Sequence, residues 1–189
     1  EKKAILIIPD IWGWDSGRTR AFADMLAEKG YYVAVPKLLM PPFEGGTDGD
    51  GLPPNFDLGT RGGEMAGWIK PINWPDDTQA KMTALIGFLK EQKITTFSML
   101  GFCYGAYPIA KTIADKSMWK DIGMEIVCAV SPHPSIQIGW GIFGDDKSFL
   151  PHVDRPFLLM PAGGDPDDYR PGGEIFEELK KADKSGKTR

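Results

Sequence analysis

Short unbroken apolar runs alternate along the chain with longer stretches in which apolar residues recur every three or four positions. The runs are residues 4–8 (AILII), 32–35 (YVAV), 94–100 (ITTFSML), 124–130 (MEIVCAV) and 157–160 (FLLM). They are too short for helices and mostly lack polar alternation, as expected of strands buried on both faces. Pro9 and Pro36 close the first two. Residues 18–29 place Phe22, Met25 and Leu26 at helical spacing, with Gly30 as the candidate C-terminal cap. Residues 75–90 set Met82, Leu85, Ile86 and Leu89 on one face behind Asp76 and Asp77, which suit the positive end of a helix. Two more helices are predicted over residues 104–116 and 173–181, the first with Pro108 near its start. Residues 38–63, rich in Gly, Pro and Asp, predict a long loop, which in a compact domain usually carries function.

Strands that alternate with helices predict an α/β fold in three layers: a mostly parallel central sheet with helices on both faces. No repeat, low-complexity tract or linker interrupts the pattern, so residues 1–189 are read as a single domain. Both ends look cut: the chain enters a strand almost directly after Glu1 and stops at Arg189 after a helix and a turn. The domain is therefore expected to be incomplete.

Composition narrows the function. The net charge of −4 is spread along the chain and offers no footprint for nucleic acid or an anionic membrane. No apolar run approaches the roughly 18 residues of a membrane-spanning helix. No signal peptide is visible, so a cytoplasmic location is expected, with an organelle as the alternative if a leader preceded Glu1. Two cysteines and two histidines suit neither a disulfide scaffold nor a structural zinc site, and no cofactor is expected. Nothing in the pattern encodes an oligomeric state.

In parallel sheets, sites lie beyond the carboxyl ends of the strands. There the third apolar run is followed by Gly101-Phe102-Cys103-Tyr104-Gly105 and then a helix. This is the strand–turn–helix nucleophile elbow with cysteine in place of serine. The turn is so tight that the nucleophile is strained and the residues two away on either side must be small. The start of the helix is expected to stabilise a thiolate and a developing oxyanion. The alternative is a buried structural thiol between two convenient glycines.

At these residues the chain resembles the dienelactone hydrolase family. Pro9-Asp10-Ile11-Trp12-Gly13 is similar to the family's loop after the first central strand, and residues 30–36 to its next strand. Gly101–Gly105 is similar to its elbow, and Ala162-Gly163-Gly164-Asp165 to its acid loop. The resemblance implies an α/β-hydrolase fold and a Cys-His-Asp triad that opens lactones or cleaves esters of small molecules. It makes Cys103 the nucleophile and Asp165 the acid that orients the histidine, with Asp167 and Asp168 as rivals. An acidic turn capping the next helix is the alternative. The backbone N–H groups of Tyr104 and Ile11 would form the oxyanion hole. Asp10 stands where the family often has a glutamate against the resting thiol. Trp12 and Trp14 would wall the pocket or belong to the core or surface. Arg61, seven residues before Trp68, would hold the carboxylate of an anionic substrate, or is a solvated loop arginine.

The triad needs a histidine after Asp165, since this fold runs nucleophile, acid, histidine, and none follows it here. His133, in Ser131-Pro132-His133-Pro134-Ser135, lies between Cys103 and Asp165 and is expected to line the pocket, with service as the base the lesser alternative. His152 precedes a strand and is expected on the opposite edge of the sheet. The expectation is that a histidine beyond Arg189 completes the triad. Two other readings stay open. One is a non-catalytic binding or assembly subunit docking through residues 41–57. The other is a redox-sensing Cys103, for which Cys128 makes an unsuitable partner in its apolar strand.

Overall fold

The computed structural model describes residues 3–189. Five strands, β1 (Lys3–Ile8), β2 (Tyr32–Ala34), β3 (Thr96–Gly101), β4 (Glu125–Pro132) and β5 (Phe157–Met160), form one sheet in the order β2-β1-β3-β4-β5. Every pairing is parallel. The strands are the five apolar runs, displaced by one or two residues at most ends. Arg189 continues the pattern on the outer edge of β5: its N–H donates to the Phe157 carbonyl (3.2 Å) and its carbonyl accepts from Leu159 N–H (2.7 Å).

Helices α1 (Thr19–Glu28), α2 (Leu58–Ile69), α3 (Gln79–Glu91), α4 (Ala106–Ala114), α5 (Ile138–Gly141) and α6 (Glu174–Ala182) complete the elements. One core gathers Leu6, Phe97, Met99, Ile126, Phe157 and Leu159 from the sheet against side chains of α3, α4 and α6. Met82, Ile86 and Leu89 of α3 are buried there, as their spacing predicts. Helix α1 contacts β1 and β2, on the opposite face by the right-handed rule for parallel crossovers. Its cover is thin: Phe22 and Met25 stay 37% and 45% exposed, and on β5 Leu158 and Met160 stay 40% and 51% exposed. Gly30 ends α1 at φ +90°, donating to the Ala27 carbonyl, while Tyr31 N–H reaches back to Leu26.

The expected long loop over residues 38–63 is corrected. It holds four buried apolar side chains, Leu38, Leu39, Leu52 and Phe56, and α2 begins inside it. Gly59, Gly62, Gly63 and Gly67 mask the helix in the sequence, because glycine disfavours helices by about 1 kcal/mol per residue. Local capping and burial form it nevertheless. The Asp57 carboxylate accepts from Gly59 N–H (2.9 Å) and the Thr60 hydroxyl (2.7 Å), and Ile69 is fully buried. The helix expected over 75–90 opens instead with a wide π-type turn, Trp74–Thr78, capped by Asn73. The one expected over 104–116 is shorter and opens with a tight turn, Cys103–Gly105.

Leu39, Leu52, Phe56, Ile69, Ile72, Ile11 and Tyr104 make a second, smaller core. It joins the 38–57 segment to the loop after β1 and to the elbow after β3. Asp50, fully buried, pins the same segment: its carboxylate accepts from Leu39 N–H and Trp14 N–H, both at 2.8 Å.

Candidate active site

Strand β3 delivers Cys103 to the carboxyl edge of the sheet at φ +49°, a conformation that side-chain-bearing residues rarely adopt. The flanking glycines are required by space. A Cβ on Gly105 would stand 2.4 Å from the Ile8 carbonyl oxygen, and one on Gly101 would stand 2.5 Å from Ile109 Cδ1 and 2.7 Å from the Gly105 backbone. The turn is therefore wedged between β1 and α4, which aims the thiol away from the core.

Cys103 Sγ lies 3.5 Å from Ser135 Oγ, and Ser135 N–H donates to the Cys103 carbonyl (3.1 Å). Burial pushes the thiol above its ordinary pKa. Hydrogen bonds from the Ser135 hydroxyl and Tyr104 N–H pull the other way, and the charges of Asp10 and Asp165 raise it further. Burial beside two carboxylates thus outweighs the helix start and favours the neutral thiol.

Asp165 stands in the loop after β5, 8% exposed. One carboxylate oxygen accepts from Ala162 N–H at 2.7 Å; the other is paired with His133 Nδ1. Asp167, by contrast, has a side chain 99% exposed on Arg170, and Asp168 is exposed. Arg170 clamps the acid loop through the Asp165 carbonyl (2.9 Å) and the Ala162 carbonyl (2.8 Å). His133 follows β4 at φ +52°, held by its N–H on the Met160 carbonyl (3.0 Å). His152 is exposed in the turn Leu150–His152 before β5.

Asp10 sits in the loop after β1 and accepts from Trp12 N–H (2.9 Å) and the Ser16 hydroxyl (3.1 Å). Burial raises its carboxyl above the ordinary value, opposed by those two bonds and by nearby His133. Ile11 belongs to the second core, its carbonyl held by Leu52 N–H at 2.9 Å. Trp12 lines a separate cavity of about 320 Å³ with Asp10, Asp15 and Ser16. Trp14 lies under Lys37 and Arg20 instead.

A second cavity, of about 310 Å³, opens on Cys103 and Tyr104 and is walled by Ile11, Leu58, Met65, Ile138 and Ile142. Arg61 is not among its lining residues. Its guanidinium makes two bonds to Glu64 (3.0 and 2.7 Å) and lies over Phe56. Among the described residues, no group of His, Cys, Asp and Glu is placed to hold a metal ion, and no helix is long and apolar enough to cross a membrane.

Sequence reasoning missed three contributors. Ser135 on the thiol was hidden because β4 and β3 meet only in the folded sheet. Arg170 on the acid loop reads as an ordinary surface charge. Asp50, 36 residues from Trp14, has no local signature. The Ser131–Ser135 segment was the one available signal, since its prolines mark a rigid turn at a strand's carboxyl end.

The chain is similar to several known proteins. A carboxymethylenebutenolidase homolog of Mus musculus is 25% identical over 166 residues, covering 86% of this chain. The human homolog is 28% identical over 106 residues, covering 54% of this chain and 38% of its own length. The chain spans 56% of the length of the mouse relative it matches. Among solved structures, the dienelactone hydrolase of Anabaena variabilis superposes with a TM-score of 0.54 at 19% identity, over 95% of this chain and 71% of that one. Est1E of Butyrivibrio proteoclasticus, solved with ferulic acid bound, gives 0.56 at 12% identity, over 95% and 77%. These likenesses show the α/β-hydrolase fold. A model of the Dienelactone hydrolase family matches residues 1–120, and on that match the chain belongs to the dienelactone hydrolase family.

Proposed function

We propose that this chain forms the nucleophile-bearing part of a hydrolase that opens lactones or cleaves carboxylic esters of small molecules through Cys103. The observation that carries the reading is the strained, glycine-flanked Cys103 at the mouth of a cavity. A histidine takes the thiol proton, and the sulfur attacks the substrate carbonyl. The oxyanion is held by the N–H groups of Tyr104 and Ile11. Collapse breaks the C–O bond, and the alcohol leaves with the proton returned by the histidine, giving a thioester on Cys103. Water, deprotonated by the same histidine, then releases the carboxylic acid and restores the thiol.

Asp165 is the seat of that histidine. His133 occupies the seat among the described residues. The chain order of the fold favours a histidine downstream of Arg189. The pairing of Arg189 with β5 is the register that a strand leading to it would take. His133→Gln in the complete protein separates the two: near-normal turnover assigns the shuttle to the downstream histidine, and loss of turnover assigns it to His133.

The binding-subunit alternative draws no support from the relatives, and among the described residues no thiol is placed to resolve an oxidised Cys103, since Cys128 faces Ser98 on the neighbouring strand (3.5 Å). The test of the proposal is Cys103→Ala in the complete chain. Loss of ester and lactone turnover, together with loss of the thioester seen by intact mass, is the expected result. Turnover equal to the parent protein's refutes the mechanism.

A further inference from the structure

We infer that the cavity on Cys103 takes a neutral ester or lactone with an apolar acyl arm and disfavours an anionic one. That the ligand is an acyl donor rests on the hydrolase reading above; the selectivity rests on the cavity itself.

The wall is aliphatic. Leu58 and Met65 come from α2, Ile138 and Ile142 from α5 and the residue after it, and Ile11 from the loop after β1. No Lys or Arg stands among the lining residues. Of the polar groups present, the Gln137 side-chain oxygen accepts from the Tyr169 hydroxyl, and the Ser135 hydroxyl lies on the thiol. A substrate carboxylate placed here would be desolvated with no cation in the wall to pair with, whereas an alkyl or aryl arm would replace water against five apolar side chains.

The surrounding charges reinforce the choice. The carboxylates of Asp10 and Asp165 stand near the thiol, the second paired with His133. The cavity on the other side of Trp12 is edged by Asp10 and Asp15. The nearby cations are spent elsewhere. Arg61 is paired twice with Glu64, and Arg170 is bound to Asp167 and to three loop carbonyls. An anion approaching Cys103 nears the Asp10 carboxylate and no uncommitted guanidinium, and like-charge juxtaposition of this kind rejects wrong partners.

The experiment uses the complete protein and two thiol reagents, iodoacetate and N-hexyl iodoacetamide. Alkylation of Cys103 is followed by peptide mass. Each rate is divided by that of a cysteine peptide in solution, which removes intrinsic reactivity. The expected result is a preference for the neutral hexyl reagent about tenfold beyond that of the free peptide. A normalised ratio at or below one overturns the inference. Ile142→Arg, placing a cation in the wall, is expected to bring the ratio back toward the peptide's; Met65→Arg, on half-exposed α2, serves if the first variant does not fold. Undiminished selectivity in a folded variant overturns the assignment to this cavity.

Turnover of p-nitrophenyl hexanoate and p-nitrophenyl hemisuccinate distinguishes the two layers of the argument. Selective alkylation without turnover of either ester counts against the hydrolase reading and leaves the cavity's selectivity standing. Turnover of the hemisuccinate at or above the hexanoate rate overturns the selectivity and leaves the hydrolase standing.

Discussion

Replacing Asp183 with Asn is expected to destabilise the protein by roughly 2 kcal/mol at neutral pH, with a pH signature. The Asp183 carboxylate, 4% exposed at the end of α6, organises the turn that brings residues 188 and 189 beside β5. One oxygen accepts from Ser185 N–H (2.9 Å) and the Ser185 hydroxyl (2.7 Å). The other accepts from Lys187 N–H (3.0 Å), Thr188 N–H (2.9 Å) and the Thr188 hydroxyl (2.9 Å). Burial alone would raise the carboxyl, but the bonds from Ser185 and Thr188 together outweigh it and pull it down to about 2. An unfolded aspartate titrates near 3.9, and each pH unit between the two is worth about 1.4 kcal/mol, so the ionised group contributes at most about 2.6 kcal/mol. Counting bonds gives the same scale. Asn keeps one acceptor oxygen and turns its NH₂ towards donors, losing at least two bonds at about 1 kcal/mol each.

The sign follows from the depressed pKa. The contribution is complete well above pH 4 and is lost as the pH falls towards about 2. Roughly a third of it is gone at pH 3.5. Urea unfolding of parent and Asp183→Asn proteins at pH 7 and pH 3.5 measures both quantities. A gap under about 0.5 kcal/mol at pH 7, or one that does not narrow at pH 3.5, refutes the reasoning.

Two further substitutions test the scaffold of the site. Gly105→Ala sets a methyl group 2.4 Å from the Ile8 carbonyl oxygen, where only backbone can give way; urea unfolding is expected to show a loss of about 1–3 kcal/mol, and Cys103 alkylation to change rate as the thiol is re-aimed. Asp50→Ala leaves the Trp14 and Leu39 N–H groups without their acceptor in a fully buried place. A loss of about 2–4 kcal/mol is expected, with faster proteolytic cleavage within residues 38–57; unchanged cleavage would show that the second core holds that segment without Asp50.

Much of this molecule is written locally. The five apolar runs become the five strands because a parallel strand covered by helices needs little polar alternation. The face of α3 and the cap at Gly30 follow from spacing and from glycine's freedom at positive φ. The elbow is legible for the same reason: its two glycines answer to clashes with β1 and α4 that any such turn would meet. Helix α2 was not legible, because four glycines erase its propensity while one aspartate cap and a buried Ile69 supply what propensity lacks. Strand order, which places Ser135 on Cys103 and His133 on Asp165, is likewise absent from any local window. Those contacts join residues about thirty positions apart, and only packing on a shared sheet chooses them. The sequence alone thus determined the five strands, most of the helices and the glycine-flanked turn that carries Cys103. The tertiary structure decided the burial that pushes the thiol's pKa up, the engagement of Arg61 by Glu64 and the aliphatic wall above Cys103. Desolvation and charge depend on what lies within a few ångströms in space, and spacing along the chain does not carry that information.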